Sequence, residues 1–168
     1  MRLTRQYAYG FLASVADEEK LPMYYELKKI DDLLVDLEEY VSIVEFIPEE
    51  MDNFSEILAD KFHPLAVNFI RVLVQDGLLS RLDTIIEDYR FGLVEAELLA
   101  EVNVSSAQPL SEAFKENIKQ LIQENWTTDF MLNFTVDSDL IGGVRLEVNN
   151  AVIDTTFRSR INQILREV

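Results

Sequence analysis

Three groups of residues in this chain have types that could do chemistry. Asp31, Asp32, Asp36, Glu38 and Glu39 crowd five carboxylates into a short stretch, which raises a cation site. The surrounding spacing is helical, so these carboxylates spread around an axis instead of converging, and the loop spacing of a calcium hand is missing. The run reads as a solvated helix face. His63 is the single imidazole; it precedes Pro64 and has no cysteine or second histidine to complete a zinc site. Gly142-Gly143 raises a phosphate loop, but no GxxxxGKS/T pattern surrounds it and a strand follows where a helix N-terminus is needed. These glycines instead let the chain bend tightly into Val144. No nucleophile stands beside a base, and no two acids are spaced to converge as a carboxylate-dependent hydrolase requires. The sequence therefore offers no catalytic residue, no metal ligand set and no cofactor site.

Composition narrows the partners. The 168 residues suffice for one domain or two small ones with a real core, and 48% hydrophobic content fits a globular chain. No apolar run approaches the roughly 18 residues of a membrane span. The start, MRLTRQYAYGFLASVADEE, enters helical periodicity directly, without an apolar signal core or cleavage site. Cysteine is absent, which excludes a disulfide framework and fits a reducing compartment; a cytosolic location is expected. The net charge is −16, unevenly spread. Residues 1–97 hold 9 Lys and Arg against 21 Asp and Glu, a net of −12, and residues 98–168 hold 6 against 10. Such a surface repels nucleic acid and anionic lipid and favours partners with basic segments, or it serves solubility alone.

The elements follow from periodicity. Tyr7, Ala8, Phe11, Leu12 and Val15 form an amphipathic stripe. Pro22 suits the first turn of a second helix, carried by Leu27, Ile30, Leu34, Leu37 and Val41 until Pro48. Phe54, Ile57, Leu58 and Phe62 predict a short helix ended by His63-Pro64. Leu65 to Gln75 predicts another, closed by Gly77 in the left-handed conformation. Leu82, Ile85, Ile86, Tyr89 and Leu93 predict one more. Short links and no strand signal imply an antiparallel bundle over residues 1–97. Near Leu98 the period becomes two: Ala100, Val102 and Val104 alternate with polar residues. A helix from about Ser111, its N-cap, to Asn125 follows, with Trp126 as a core or domain-junction anchor. Phe130, Leu132, Phe134 and Val136 alternate again, as do Val144, Leu146 and Val148, and Asn149-Asn150 fits a two-residue hairpin turn. Asp154 or Thr155 can cap a last helix. The fold class is α+β, with a helical bundle followed by a small β-α-β-β-α domain over residues 98–168.

In this order and spacing, YAYGFLASVADEE, NFIRVLVQDGLLSRLDTIIEDY, AEVNVSSAQPLSE and VDSDLIGGVRLEVNNAVIDTTFRSRINQIL resemble the delta subunit family of bacterial F-type ATP synthases, which includes the mitochondrial oligomycin-sensitivity-conferring protein. The resemblance covers essentially the whole chain. It implies a non-catalytic stator subunit on the cytoplasmic face of the cell membrane, peripheral and without cofactor. Its helical bundle grips N-terminal helical tails of the alpha subunits, and its C-terminal domain holds the distal end of the b-subunit stalk. It further implies a tail-binding groove between the first helix and the helix containing Asn68, Phe69 and Val72.

Carried onto this chain, that groove takes Tyr7, Gly10, Phe11 and Ser14 from the first helix and Asn68, Phe69 and Val72 from the other. Gly10 is costly inside a helix, by about 1 kcal/mol relative to alanine. It either lets a partner helix approach or relieves packing within the bundle; Phe69, Val72 and Leu73 are equally open to a core role. The b-subunit contact falls to Phe157, Arg158, Ile161, Ile164, Leu165 and Val168 on the terminal helix, whose apolar side must also cover the sheet. Arg158, Arg160 and Arg166 either meet acidic stalk residues or are solvated. The competing reading is an acidic adaptor that binds basic amphipathic helices outside any ATP synthase.

Overall fold

The computed structural model describes residues 2–35, 43–44, 47–140, 143–149 and 151–152. The chain forms two compact units, Met1–Glu95 and Ala96–Val168.

The first unit holds α1 (Leu3–Ser14), α2 (Asp17–Val35), α3 (Pro48–Ala59), α4 (Pro64–Gln75), a 3-10 turn (Leu79–Arg81) and α5 (Leu82–Glu95). α5 packs against both α1 and α2, and α3 packs against α4. Its Leu82, Ile85, Ile86, Tyr89 and Leu93 are all buried, as the 3.6-residue spacing requires of a helix facing neighbours on several sides. They meet Ala8, Leu12 and Val15 of the α1 region and Met23, Tyr24, Leu27, Ile30 and Leu34 of α2 in one buried core. Gly92 lets α1 come close: a Cβ there would lie 2.5 Å from Leu12 Cδ2. Polar ties fix the packing. The buried Tyr89 hydroxyl donates to the Lys20 carbonyl at 2.9 Å, and burial pushes its phenol pKa up. Thr4 Oγ1 donates to Asp88 Oδ2 at 2.8 Å. On the outer side, Arg5 donates to Tyr9 Oη and to Glu95, which also accepts from Tyr9 at 2.7 Å.

Helix ends follow local chemistry. His63 Nδ1 accepts from Leu65 N–H and caps α4, while the His63 N–H donates to Glu26. Gly77, at φ +64°, closes α4: its N–H donates to the Val74 carbonyl and that of Leu78 to the Leu73 carbonyl. This is the Schellman pairing that a left-handed residue permits. Two expectations change. α2 starts at Asp17, ahead of Pro22, because the Ala16 carbonyl already accepts from Glu19 and Lys20 and three acids suit the positive helix end. Pro22 sits in the second turn, where it denies a donor to one carbonyl. α3 stops at Ala59, before Phe62, and Ile57 is 50% exposed instead of joining the apolar face. Leu37 and Val41 lie outside the described residues.

The second unit holds β1 (Ala100–Ser106), α6 (Glu112–Asn125), β2 (Phe130–Val136), β3 (Val144–Val148) and β4 (Ala151–Val152). The sheet order is β2-β1-β3-β4, with β2 parallel to β1, β3 antiparallel to β1 and β4 antiparallel to β3. β4 is a short strand that pairs back on β3, Val148 opposite Ala151, and adds a fourth strand. Val102, Val104, Phe114, Ile118 and Ile122 form the core, with Trp126, Phe130, Leu132 and Phe134 packed against it. Ser111 Oγ accepts from Phe114 N–H and caps α6. The opposite face is polar: Asn133 donates to Glu101 and Asn103, and Ser105 bonds Thr135 across the strands. Asn149, at φ +46°, accepts from Glu101 N–H through Oδ1 and returns its own N–H to the Glu101 carbonyl. The last predicted helix lies outside the described residues.

Candidate docking groove

α1 and α4 run antiparallel along one side of the bundle. Tyr7 Oη donates to Asp76 Oδ2 at 2.7 Å beside the C-terminal end of α4, and Phe11 stacks on Phe69 further along. Between the two helices lies a groove of about 600 Å³. All seven predicted groove residues line it: Tyr7, Gly10, Phe11 and Ser14 on α1, and Asn68, Phe69 and Val72 on α4. Leu3, Gln6 and Leu65 complete the wall. These three repeat the same helical face one turn earlier, at i−4 from Tyr7, Gly10 and Phe69, so extending the stripe by a turn would have found them.

The lining residues play different parts. Phe11 and Phe69 are the floor: both are buried, and their rings lie parallel with centroids 4.1 Å apart. Phe11 also reaches Tyr89 of the core, centroid to centroid 5.9 Å. Val72 stands at the rim, 43% exposed, while its neighbour Leu73 is fully buried and belongs to the core. Ser14 Oγ donates to the Phe11 carbonyl of its own helix, so its polarity is satisfied locally. Among the described residues no Asp, Glu, Lys or Arg lines the groove. The nearest carboxylate named above, Asp76, accepts from Tyr7, and this bond raises the Tyr7 pKa.

Gly10 separates the two explanations for a helical glycine. It is exposed, and a Cβ added to it would meet nothing within 4 Å. Packing inside the bundle therefore does not require it; that role belongs to Gly92, which was not singled out from sequence. Phe157, Arg158, Ile161, Ile164, Leu165 and Val168, the expected stalk contact, lie outside the described residues. Among the described residues no three His, Asp or Glu converge on one point, and His63 is engaged as a helix cap.

The first unit is thus a helical bundle with an open groove that no charged residue lines among the described residues, and the second is a small α/β unit. Residues 3–168 match the ATP synthase delta (OSCP) subunit family. The chain is similar to ATP synthase subunit delta of Haemophilus influenzae, 26% identical over 95% of this chain and 81% of that one. It is similar to the same subunit of Glaesserella parasuis, at 24% over 99% and 96%, and of Synechococcus elongatus, at 32% over 71% and 67%. Its fold matches a chain in the cryo-EM structure of the Toxoplasma gondii mitochondrial ATP synthase hexamer, with a TM-score of 0.57 at 22% identity over 99% and 97%. The chain belongs to the ATP synthase delta (OSCP) subunit family, the peripheral-stalk subunit of F-type ATP synthases.

Proposed function

We propose that the protein joins the catalytic head of its ATP synthase to the b-subunit stalk and resists rotor torque. Residues 1–97 receive N-terminal helical tails of the alpha subunits, and residues 98–168 hold the distal end of b. It is a structural subunit without catalytic residues of its own, peripheral on the cytoplasmic face of the membrane. No helix among the described residues is long and apolar enough to cross a membrane.

The groove between α1 and α4 is the observation that carries the first contact. From Leu3 to Ser14 it follows about three helical turns, roughly 17 Å at the 1.5 Å rise per residue. An amphipathic helix presenting anchors at i, i+3 or i+4, i+7 and i+11 covers that length. With no charged residue lining it among the described residues, such a helix can be seated without burying an unpaired ion. Each contact is modest alone. Two contacts made within one assembly raise the effective concentration of each, so release needs both to open together.

Calorimetry with the full chain and an alpha-tail peptide tests this reading. The peptide should bind one to one. Val72→Asp, at an exposed position that the fold tolerates, should abolish binding while leaving the circular dichroism spectrum unchanged. Equal affinity of Val72→Asp and the unmodified chain would refute the groove as the tail site.

A further inference from the structure

We infer that the outer edge of β2 is a docking surface, which takes an extended protein segment with basic ends as an added strand of the sheet. The inference is independent of the groove on the first unit. β2 stands at the end of the order β2-β1-β3-β4, so only one of its two edges is paired. Two bonds fix the phase of that pairing: Ala100 N–H donates to the Asp129 carbonyl and Asp137 N–H to the Ser106 carbonyl, both at 2.8 Å. In a parallel ladder, alternate residues turn both backbone groups to the same neighbour. Met131, Asn133 and Thr135 therefore bond β1, while Phe130, Leu132, Phe134 and Val136 turn N–H and C=O outward. Among the described residues nothing bonds that outward row.

Such an edge is a template for another strand, and proteins ordinarily blunt it with charge, proline or a bulge. β2, FMLNFTV, carries no charge and no proline, and it pairs without a bulge from Phe130 opposite Ala100 to Val136 opposite Ser106. Phe130, Leu132 and Phe134 pack on the core yet are only partly buried, so an added strand with apolar residues on that face extends the layer. Charge selects the occupant. Exposed Asp129 flanks one end of β2; Asp137, 3.6 Å from Arg145, and exposed Asp139 flank the other. Lys115 lies 5.7 Å from the Phe134 ring centre but is paired with Glu112. Full antiparallel overlap of two β2 strands would set Asp129 against Asp137 at both ends, between chains of net charge −16, which disfavours a second copy. A segment with lysine or arginine at its ends meets opposite charge at the same places.

Solution NMR on the full chain tests this with a peptide of alternating valine and threonine between terminal lysines, matched to β2 in length. Without peptide, the amides of Phe130, Leu132, Phe134 and Val136 should exchange fast and those of Met131, Asn133 and Thr135 slowly. Saturating peptide should slow the outward set about tenfold or more and leave the inward set unchanged. Glutamate in place of the lysines should weaken binding about tenfold. Val136→Pro, which removes an outward donor at an exposed position, should weaken it severalfold at an unchanged urea midpoint. Binding that leaves the outward amides fast, equal affinity for the lysine and glutamate peptides, or no binding at all would overturn the inference. Outward amides that slow with rising chain concentration, without peptide, would overturn it in favour of a second copy.

Discussion

Alanine at Gly92 should destabilise the protein, and the same substitution at Gly10 should stabilise it. Both glycines lie in helices, on α5 and α1, and both substitutions recover about 1 kcal/mol of helix propensity. At Gly10 nothing opposes that gain, since a new Cβ meets no atom within 4 Å. At Gly92 the Cβ would lie 2.5 Å from Leu12 Cδ2, well inside the 3.5–4.0 Å optimum for carbon pairs. Leu12 is buried and must change rotamer or push α1 outward, an overpacking cost of about 1–3 kcal/mol. The net for Gly92→Ala is thus a loss of about 0–2 kcal/mol, against a gain of about 1 kcal/mol at Gly10. Urea unfolding with an unchanged slope reads both differences directly. A double-mutant cycle sharpens the assignment, because in the Leu12→Ala background the clash is gone and Gly92→Ala should turn stabilising. Gly92→Ala as stabilising as Gly10→Ala in the unmodified background would refute the close approach of α1 to α5.

Three further outcomes are expected. Tyr89→Phe leaves the Lys20 carbonyl without its buried donor and should cost about 1–2 kcal/mol in the same urea assay, with no change in secondary structure by circular dichroism. Glu97 holds φ +58° two residues beyond α5, where glycine is preferred; Glu97→Gly should raise stability by about 0.5 kcal/mol or more, and a loss would contradict the strained backbone. Burial, then Asp83 and Asp32, raise the Asp31 pKa, with Lys28 opposing. A carboxylate whose folded pKa is raised is a destabilising charge above that pKa, and the penalty fades as pH falls through it. Asp31→Asn should therefore stabilise by a few tenths of a kcal/mol at neutral pH, and the difference should shrink on acidification; a difference that grew would reverse the assignment.

Periodicity carried most of the architecture, because each element buries one face and the apolar spacing records which. Gly77, Ser111 and Asn149 were legible as a helix stop, a helix cap and a hairpin turn, since each acts through its own backbone or a neighbour three or four residues away. Both walls of the groove were reached through family resemblance laid on a helical wheel. What a wheel cannot give is the element standing opposite a residue. It assigned Gly10 to a face without saying whether that face met helix or solvent, and it passed over Gly92, whose need for smallness comes from Leu12, eighty residues earlier. Ile57 shows the same limit, apolar by spacing yet half exposed. Pro22 misled for a different reason: three acids and the Ala16 carbonyl start α2 upstream, and one missing donor does not outweigh them. The two-residue β4 is too short to leave a period at all.

The proposed clasp between head and stalk is tested most directly with membranes stripped of this subunit, mixed with purified catalytic heads and increasing amounts of the chain, through ATP synthesis driven by an imposed ion gradient. Synthesis and head attachment should both return in proportion to the unmodified chain, and Val72→Asp should restore neither. Full synthesis with heads firmly attached before any of the chain is added would contradict the claim.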